Sequence, residues 1–142
     1  MKFTVATFYP FVDLPDYAQW RENLCARCDE AGVRGTFILA TEGLNSTIAG
    51  LKEGVDAVLA FIRSDERFAD MPHRECVADH LPFHRLRIAI RPEIVTLGDP
   101  SVNPNEMVGE HVEPEDWNAI ISDPEVTLID ARNNYEVEIG TF

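Results

Sequence analysis

The apolar positions of this chain change period several times, and each change predicts an element. Residues 4–11, TVATFYPF, are rich in β-branched and aromatic side chains and predict a first strand. Pro10 sits near its end, where a missing N–H matters least. From Asp13 the spacing lengthens: Tyr17, Trp20, Leu24, Cys28 and Ala31 recur at intervals of three and four. That interval places them on one face of a helix. Asp13 can cap this helix, Pro15 falls in its first turn, Asp16 suits its positive end, and Gly32 is a natural stop.

Residues 35–50, GTFILATEGLNSTIAG, read as two short strands. Glu42 and Gly43 join them as a two-residue loop, suited to a primed hairpin turn with positive φ at the glycine. Leu51, Val55, Val58, Leu59 and Ile62 then mark a second helix, its first turn weakened by Gly54. Phe68 and Met71 are expected anchors in the polar connection that follows, and Leu59 and Ile38 are expected in the core. Two further strand candidates lie at 73–79 and 83–91, and either could complete a sheet. In the second, Leu86, Ile88 and Ile90 point one way and Arg85, Arg87, Ala89 and Arg91 the other. A short extra strand is expected at 93–98.

The order β-α-β-β-α-β predicts an α+β fold: a ferredoxin-like (split βαβ) domain over 1–98. Residues 99–109, DPSVNPNEMVG, hold two prolines, two asparagines and no periodicity, which predicts a linker. Beyond it, a helix is expected from Glu113 through Ile121, with Trp117, Ile120 and Ile121 as its apolar side. A short strand over 126–129 should follow, ending at Asp130. Helix, buried strand and loop are the opening of an α/β unit. The remaining stretch, 110–142, is shorter than the ~40 residues below which chains rarely fold unaided, so this second unit is expected to be incomplete.

Charge sharpens the division. Residues 1–98 hold 11 basic and 14 acidic side chains, net −3, whereas 99–142 hold one basic residue, Arg132, and 11 acidic ones, net −10. A chain of net charge −13 is a poor general binder of polyanions, because phosphate affinity comes largely from Lys and Arg. Any nucleic-acid surface must therefore be local. No apolar run approaches the ~18 residues of a membrane span, and the N-terminus lacks an export signal. Three cysteines, at 25, 28 and 76, make no even disulfide framework, so no membrane association and a reducing cytoplasm are expected.

Several clusters could carry chemistry. Cys25 and Cys28 form a C-x-x-C, but they fall mid-helix, away from the N-terminus that lowers a thiol pKa, and no second pair completes a zinc site. His73, His80 and His84 lie near Cys76 and Asp79, and surface histidines are the simpler account than a metal site. Arg85, Arg87 and Arg91 share one side of a strand, with Arg74 nearby in sequence. Residues 73–91 hold four arginines and two acids, the main basic concentration of the chain. They read either as a solvated or edge-protecting face or as a track for phosphates. Base stacking in the manner of RNA-recognition motifs is not expected, since NSTIAG has no aromatic residue. Asn45 at the hairpin serves turn chemistry or contacts a base or sugar. Asp130, Arg132 and Glu136 read as a hydrogen-bond network around a loop.

Three stretches together resemble the rhodanese-domain tRNA uridine hydroxylase family. They are GTFILATEGLNSTIAG at 35–50, PFHRLRIAIRPEIVTLG at 82–98, and WNAIISDPEVTLIDARNNYEVEIGTF at 117–142. The strand-then-Asp-x-Arg pattern around Asp130, Arg132 and Glu136 is similar to the start of a rhodanese domain. Ser46 stands where the family usually has glycine. The resemblance implies the N-terminal part of an oxidoreductase that converts wobble uridine to 5-hydroxyuridine with molecular oxygen. It implies tRNA, through its anticodon stem-loop, as partner of Arg85, Arg87, Arg91, Arg74 and Asn45, and it leaves the cofactor open. The family's essential cysteine lies in a C-x-G-G-x-R loop downstream of the Asp-x-Arg strand. No cysteine follows Asp130 here, so no catalytic residue is expected within 1–142. The alternative is a rhodanese-type sulfurtransferase whose ferredoxin-like domain binds proteins.

Overall fold

The computed structural model describes residues 1–141. Phe142, the last residue of the unit expected at 110–142, lies outside the described residues. The chain divides into two compact units, 1–108 and 109–142, so residues 99–108 go with the first.

The first unit is a five-stranded sheet under two helices. Its elements are β1 (Phe3–Phe8), α1 (Tyr17–Glu30), β2 (Arg34–Ala40), β3 (Gly43–Gly50), α2 (Lys52–Arg63), β4 (Arg74–Ala78) and β5 (Leu86–Ile90). The sheet order is β4-β1-β3-β2-β5. β4 pairs antiparallel with β1 and completes the split βαβ pattern. β5 adds a strand parallel to β2 at the other edge. Both sequence candidates for a closing strand are thus in the sheet, on opposite edges.

Strand alternation sorts the side chains. Ala6, Phe8, Phe37, Leu39, Leu44 and Ile48 point to the helices and are buried with Trp20, Leu24 and Cys28 of α1 and Val55, Val58, Leu59 and Ile62 of α2. Phe68 and Met71 close the core as expected. The Trp20 ring meets Phe68 edge-on at 5.1 Å between centroids, a favoured aromatic geometry. Ile38 is not core. It pairs with Asn45 and Ala89 on the other side of the sheet, because it is out of phase with buried Phe37 and Leu39.

Two expected boundaries shift for local reasons. α1 begins after Asp16 rather than Asp13. The Val12 and Leu14 N–H groups donate to Glu42 and Thr41 carbonyls, at 3.0 and 2.8 Å, which holds 12–14 extended against the hairpin. In the hairpin itself, Ala40 pairs with Gly43, so Thr41 and Glu42 form the loop and neither has positive φ. Gly43 does, at 140°, because the Pro10–Phe11 backbone lies on it: a Cβ there would sit 2.2 Å from the Pro10 carbonyl oxygen. Gly54 has a similar role between helices, where a Cβ would meet the Ala31 carbonyl oxygen at 2.4 Å.

The strand expected at 93–98 does not form. The Glu93 carboxylate accepts from the Leu97 and Gly98 N–H groups and curls the segment, while Ile94 is buried. In the second unit, α3 (Trp117–Ile121) and α4 (Asn134–Val137) form, but the strand expected at 126–129 does not. Val126, Leu128 and Ile129 are exposed, Ile129 by 79%. An extended segment becomes a strand only with a neighbour for its N–H and C=O groups, and the described residues of this unit contain no strand.

Candidate nucleic-acid interface

The helices cover one side of the first unit's sheet, and register defines the other. Arg74 pairs with Thr7, Thr7 with Thr47, Thr47 with Thr36, and Thr36 with Arg87. Paired residues share a face, so this side carries a transverse row of three threonines with an arginine at each end. The Thr7 and Thr47 hydroxyls lie 3.2 Å apart. Glu75, the carboxylate of β4, pairs with Ala6 and so belongs to the helix side. There it meets Lys52 at 3.3 Å and His73 at 2.9 Å, and the His73 hydrogen bond holds its carboxyl below the usual range.

The four arginines singled out from sequence do not form one cluster. β4 and β5 are opposite edges, so Arg74 lies four inter-strand spacings, roughly 19 Å, from Arg87. Arg85, Arg87 and Arg91 stay together: Gly35 N–H donates to the Arg85 carbonyl and Arg91 N–H to that of Leu39, extending the β2–β5 ladder past both ends of the strand. All four arginines are exposed. None has a carboxylate partner among the described residues. Asn45 is half-buried and donates its amide to the Ile94 carbonyl at 3.1 Å, while Ile94 N–H donates to the Glu42 carboxylate at 2.7 Å. Asn45 thus ties the segment after β5 to the hairpin.

The other candidates are local. Cys25 and Cys28 lie within α1. Cys28 is buried, and desolvation pushes its thiol up to about 12, which makes it a poor nucleophile. Cys25 and Cys76 are free and exposed. His73 is 2.7 Å from an Arg63 guanidinium nitrogen, and no three His, Cys, Asp or Glu converge as metal ligands among the described residues. In the second unit Arg132 grips Asp130 through Nε and a terminal nitrogen, at 3.0 and 2.8 Å, and donates to the Gly140 carbonyl. This holds the Asp130 carboxyl down. Glu136 instead accepts the Asn133 backbone N–H at 2.9 Å, reaching back across the start of α4. So Arg132 partners Asp130, and Glu136 partners the helix start.

Two groups of residues escaped the sequence. Threonine is an ordinary strand residue, so only strand register reveals the Thr7, Thr36 and Thr47 row. Arg21 and Arg34 are far from the β5 arginines in sequence. A cleft of about 530 Å³ between α1 and β5 nevertheless brings both beside Arg85.

A split βαβ layer with both of its own helices on one face of its sheet defines the acylphosphatase-like class of α+β domain. The UPF0176 acylphosphatase like domain matches residues 3–94, and the chain belongs to that family. Curated relatives named tRNA uridine(34) hydroxylase match 99% of this chain. Those of Albidiferax ferrireducens, Sinorhizobium medicae and Agrobacterium fabrum are 52%, 50% and 50% identical to it. The match covers 44%, 45% and 45% of those proteins, so the chain spans less than half their length. The resemblance read from three stretches of sequence thus extends along the chain. The dark-state structure of BlrB, a BLUF protein, shares the fold at 21% identity, with a TM-score of 0.51 over 82% of this chain and 88% of that one.

Proposed function

We propose that this chain is part of an enzyme that hydroxylates uridine 34 of tRNA, and that its acylphosphatase-like unit helps hold the RNA. The observation that carries the reading is the 52% identity to a protein named tRNA uridine(34) hydroxylase across 99% of the chain. In the reaction, one oxygen atom of O2 replaces the hydrogen at uridine C5 with a hydroxyl. The other is reduced to water by a two-electron donor. The unit's part is binding, in the cytoplasm. Arg85, Arg87 and Arg91 meet phosphates along one sheet edge, Arg74 meets another across the sheet, and the threonine hydroxyls and Asn45 face the sugars and bases between. Phosphate contacts position an RNA without reading its sequence, which suits a domain that presents an anticodon loop to chemistry performed elsewhere. Asp130 and Arg132 brace the loop of a rhodanese-like unit.

Mass spectrometry of tRNA from a strain lacking the parent gene tests this. Nucleosides derived from 5-hydroxyuridine at position 34 should disappear and return with the gene, and unchanged tRNA would refute the reading. A parent protein with Arg85, Arg87 and Arg91 changed to Gln should bind tRNA more weakly. Its slope of log affinity against log salt should flatten by roughly 0.7 to 0.9 for each phosphate deprived of its arginine. The 142-residue chain alone should show no hydroxylation, and turnover abolished by thiol alkylation would place the chemistry on one of its three cysteines.

A further inference from the structure

The cleft between α1 and β5 is lined by Arg21, Cys25 and Asp29 of the helix and by Arg34, Arg85 and Leu86 of the strands, among others. Three arginines and a single acid thus line it, in a chain whose net charge is −13. Arg34 donates one hydrogen bond, to the His84 carbonyl. Neither Arg21 nor Arg85 has a carboxylate partner among the described residues. Three cations beside one acid leave the cleft net positive, and an anion relieves the repulsion among them. Arg forks match phosphate oxygens in pairs. The floor is aliphatic, from Val33, Leu86 and Ile88, and can take the non-polar side of a sugar or base. Arg85 belongs both to this cleft and to the β5 arginine face, so the two surfaces are continuous around the sheet edge.

We propose that this cleft is a phosphate subsite: it takes a backbone phosphate of the RNA strand whose neighbouring phosphates meet Arg87 and Arg91. The proposal rests on the RNA-binding reading above, and Arg21 separates the two. It is exposed on α1 and belongs to the cleft alone.

The test is titration of the 142-residue chain with inorganic pyrophosphate and, separately, with a 17-nucleotide RNA hairpin, each followed by backbone amide NMR shifts. Pyrophosphate should shift residues 32–35 and 85–86. Arg21→Gln should weaken pyrophosphate and RNA binding by roughly fivefold or more, and Arg21→Glu should weaken both further. Arg87→Gln should weaken RNA alone. If both Arg21 variants leave RNA affinity unchanged while Arg87→Gln weakens it, the cleft is no RNA subsite and the wider reading stands. Pyrophosphate binding abolished in Arg21→Glu with RNA affinity intact overturns the proposal too, leaving an anion site that RNA does not use. If the Arg21 variants and Arg87→Gln all bind RNA like the unsubstituted chain, both readings fail. The amide spectrum reports whether each variant is folded.

Discussion

The two units put similar sequence patterns to different ends. In the first, alternating and three-to-four-spaced apolar residues become one core, with Phe8, Phe37, Leu24 and Ile62 all buried. In the second, Leu128, Ile129, Tyr135 and Ile139 follow comparable patterns and remain exposed, Ile139 by 90%. No residue of α3 or α4 is buried. An apolar stripe therefore specifies an element only when another element is present to cover it, because most helix and strand stability comes from packing rather than from local preference.

Core truncation should show this contrast most strongly. Leu24→Ala or Ile48→Ala should each destabilise the first unit by ~2–5 kcal/mol in urea unfolding. Ile129→Ala and Ile139→Ala should stay within ~0.5 kcal/mol. An equal loss at Ile139 would mean that the second unit has a core in solution. Backbone crowding comes next. Gly43→Ala must relieve both a positive φ and the Pro10 carbonyl, and should cost about 1–3 kcal/mol. Gly140→Ala, with nothing within 4 Å of the new Cβ, should leave the melting temperature unchanged.

The smallest effect concerns ion pairs. Arg67 binds Asp16 at 2.6 Å and Asp65 at 2.8 Å, tying the start of α1 to the turn after α2. Arg67 holds the Asp16 carboxyl down at about 2, below its unfolded value of roughly 3.9. A carboxyl lowered on folding stabilises the fold above its unfolded pKa, so this contribution is complete above about pH 4 and is lost as pH falls toward 2. Both partners are partly exposed, so solvent screening limits Arg67→Gln to roughly 0.5–1 kcal/mol. The difference between variant and parent should vanish at the acid end of a pH series. A difference that persists well below pH 2, where Asp16 is protonated in the folded state as well, would assign the loss to the packing of the Arg67 stem instead.

Much of the first unit was legible in the sequence because its signals are local. The Tyr17–Ala31 and 51–62 spacings each report the core face of a helix, and the alternation over 83–91 separates half-buried Leu86 and Ile88 from the exposed arginines. What escaped depends on residues far apart in the chain. Gly43 looked like turn chemistry, and its requirement comes from Pro10. Gly54 looked like a weak helix residue, and it is where the two helices touch. The site was partly legible for the same reason. The β5 arginines share a strand and could be grouped by alternation. Arg74 follows β4 to the far edge, Arg34 joins Arg85 through the pairing of β2 with β5, and Arg21 joins them only through the packing of α1 on the sheet.

The placement of β4 and β5 on opposite edges also sets a tether length. The chain leaves β4 at Ala78 and enters β5 at Leu86, and between them it must pass four strand spacings, roughly 19 Å sideways. Eight residue steps reach at most about 28 Å when fully drawn out, so the crossing has little slack. Extra residues in 79–85 would add slack and leave β5 in register beside β2. Removing three would bring the limit to about 18 Å, and β5 would have to leave the sheet. The edge of β2 would then lie open, and Arg85 would be carried away from Arg21 and Arg34. A length variant of that single connection would thus separate the roles of the two sheet edges without altering any charged residue on either.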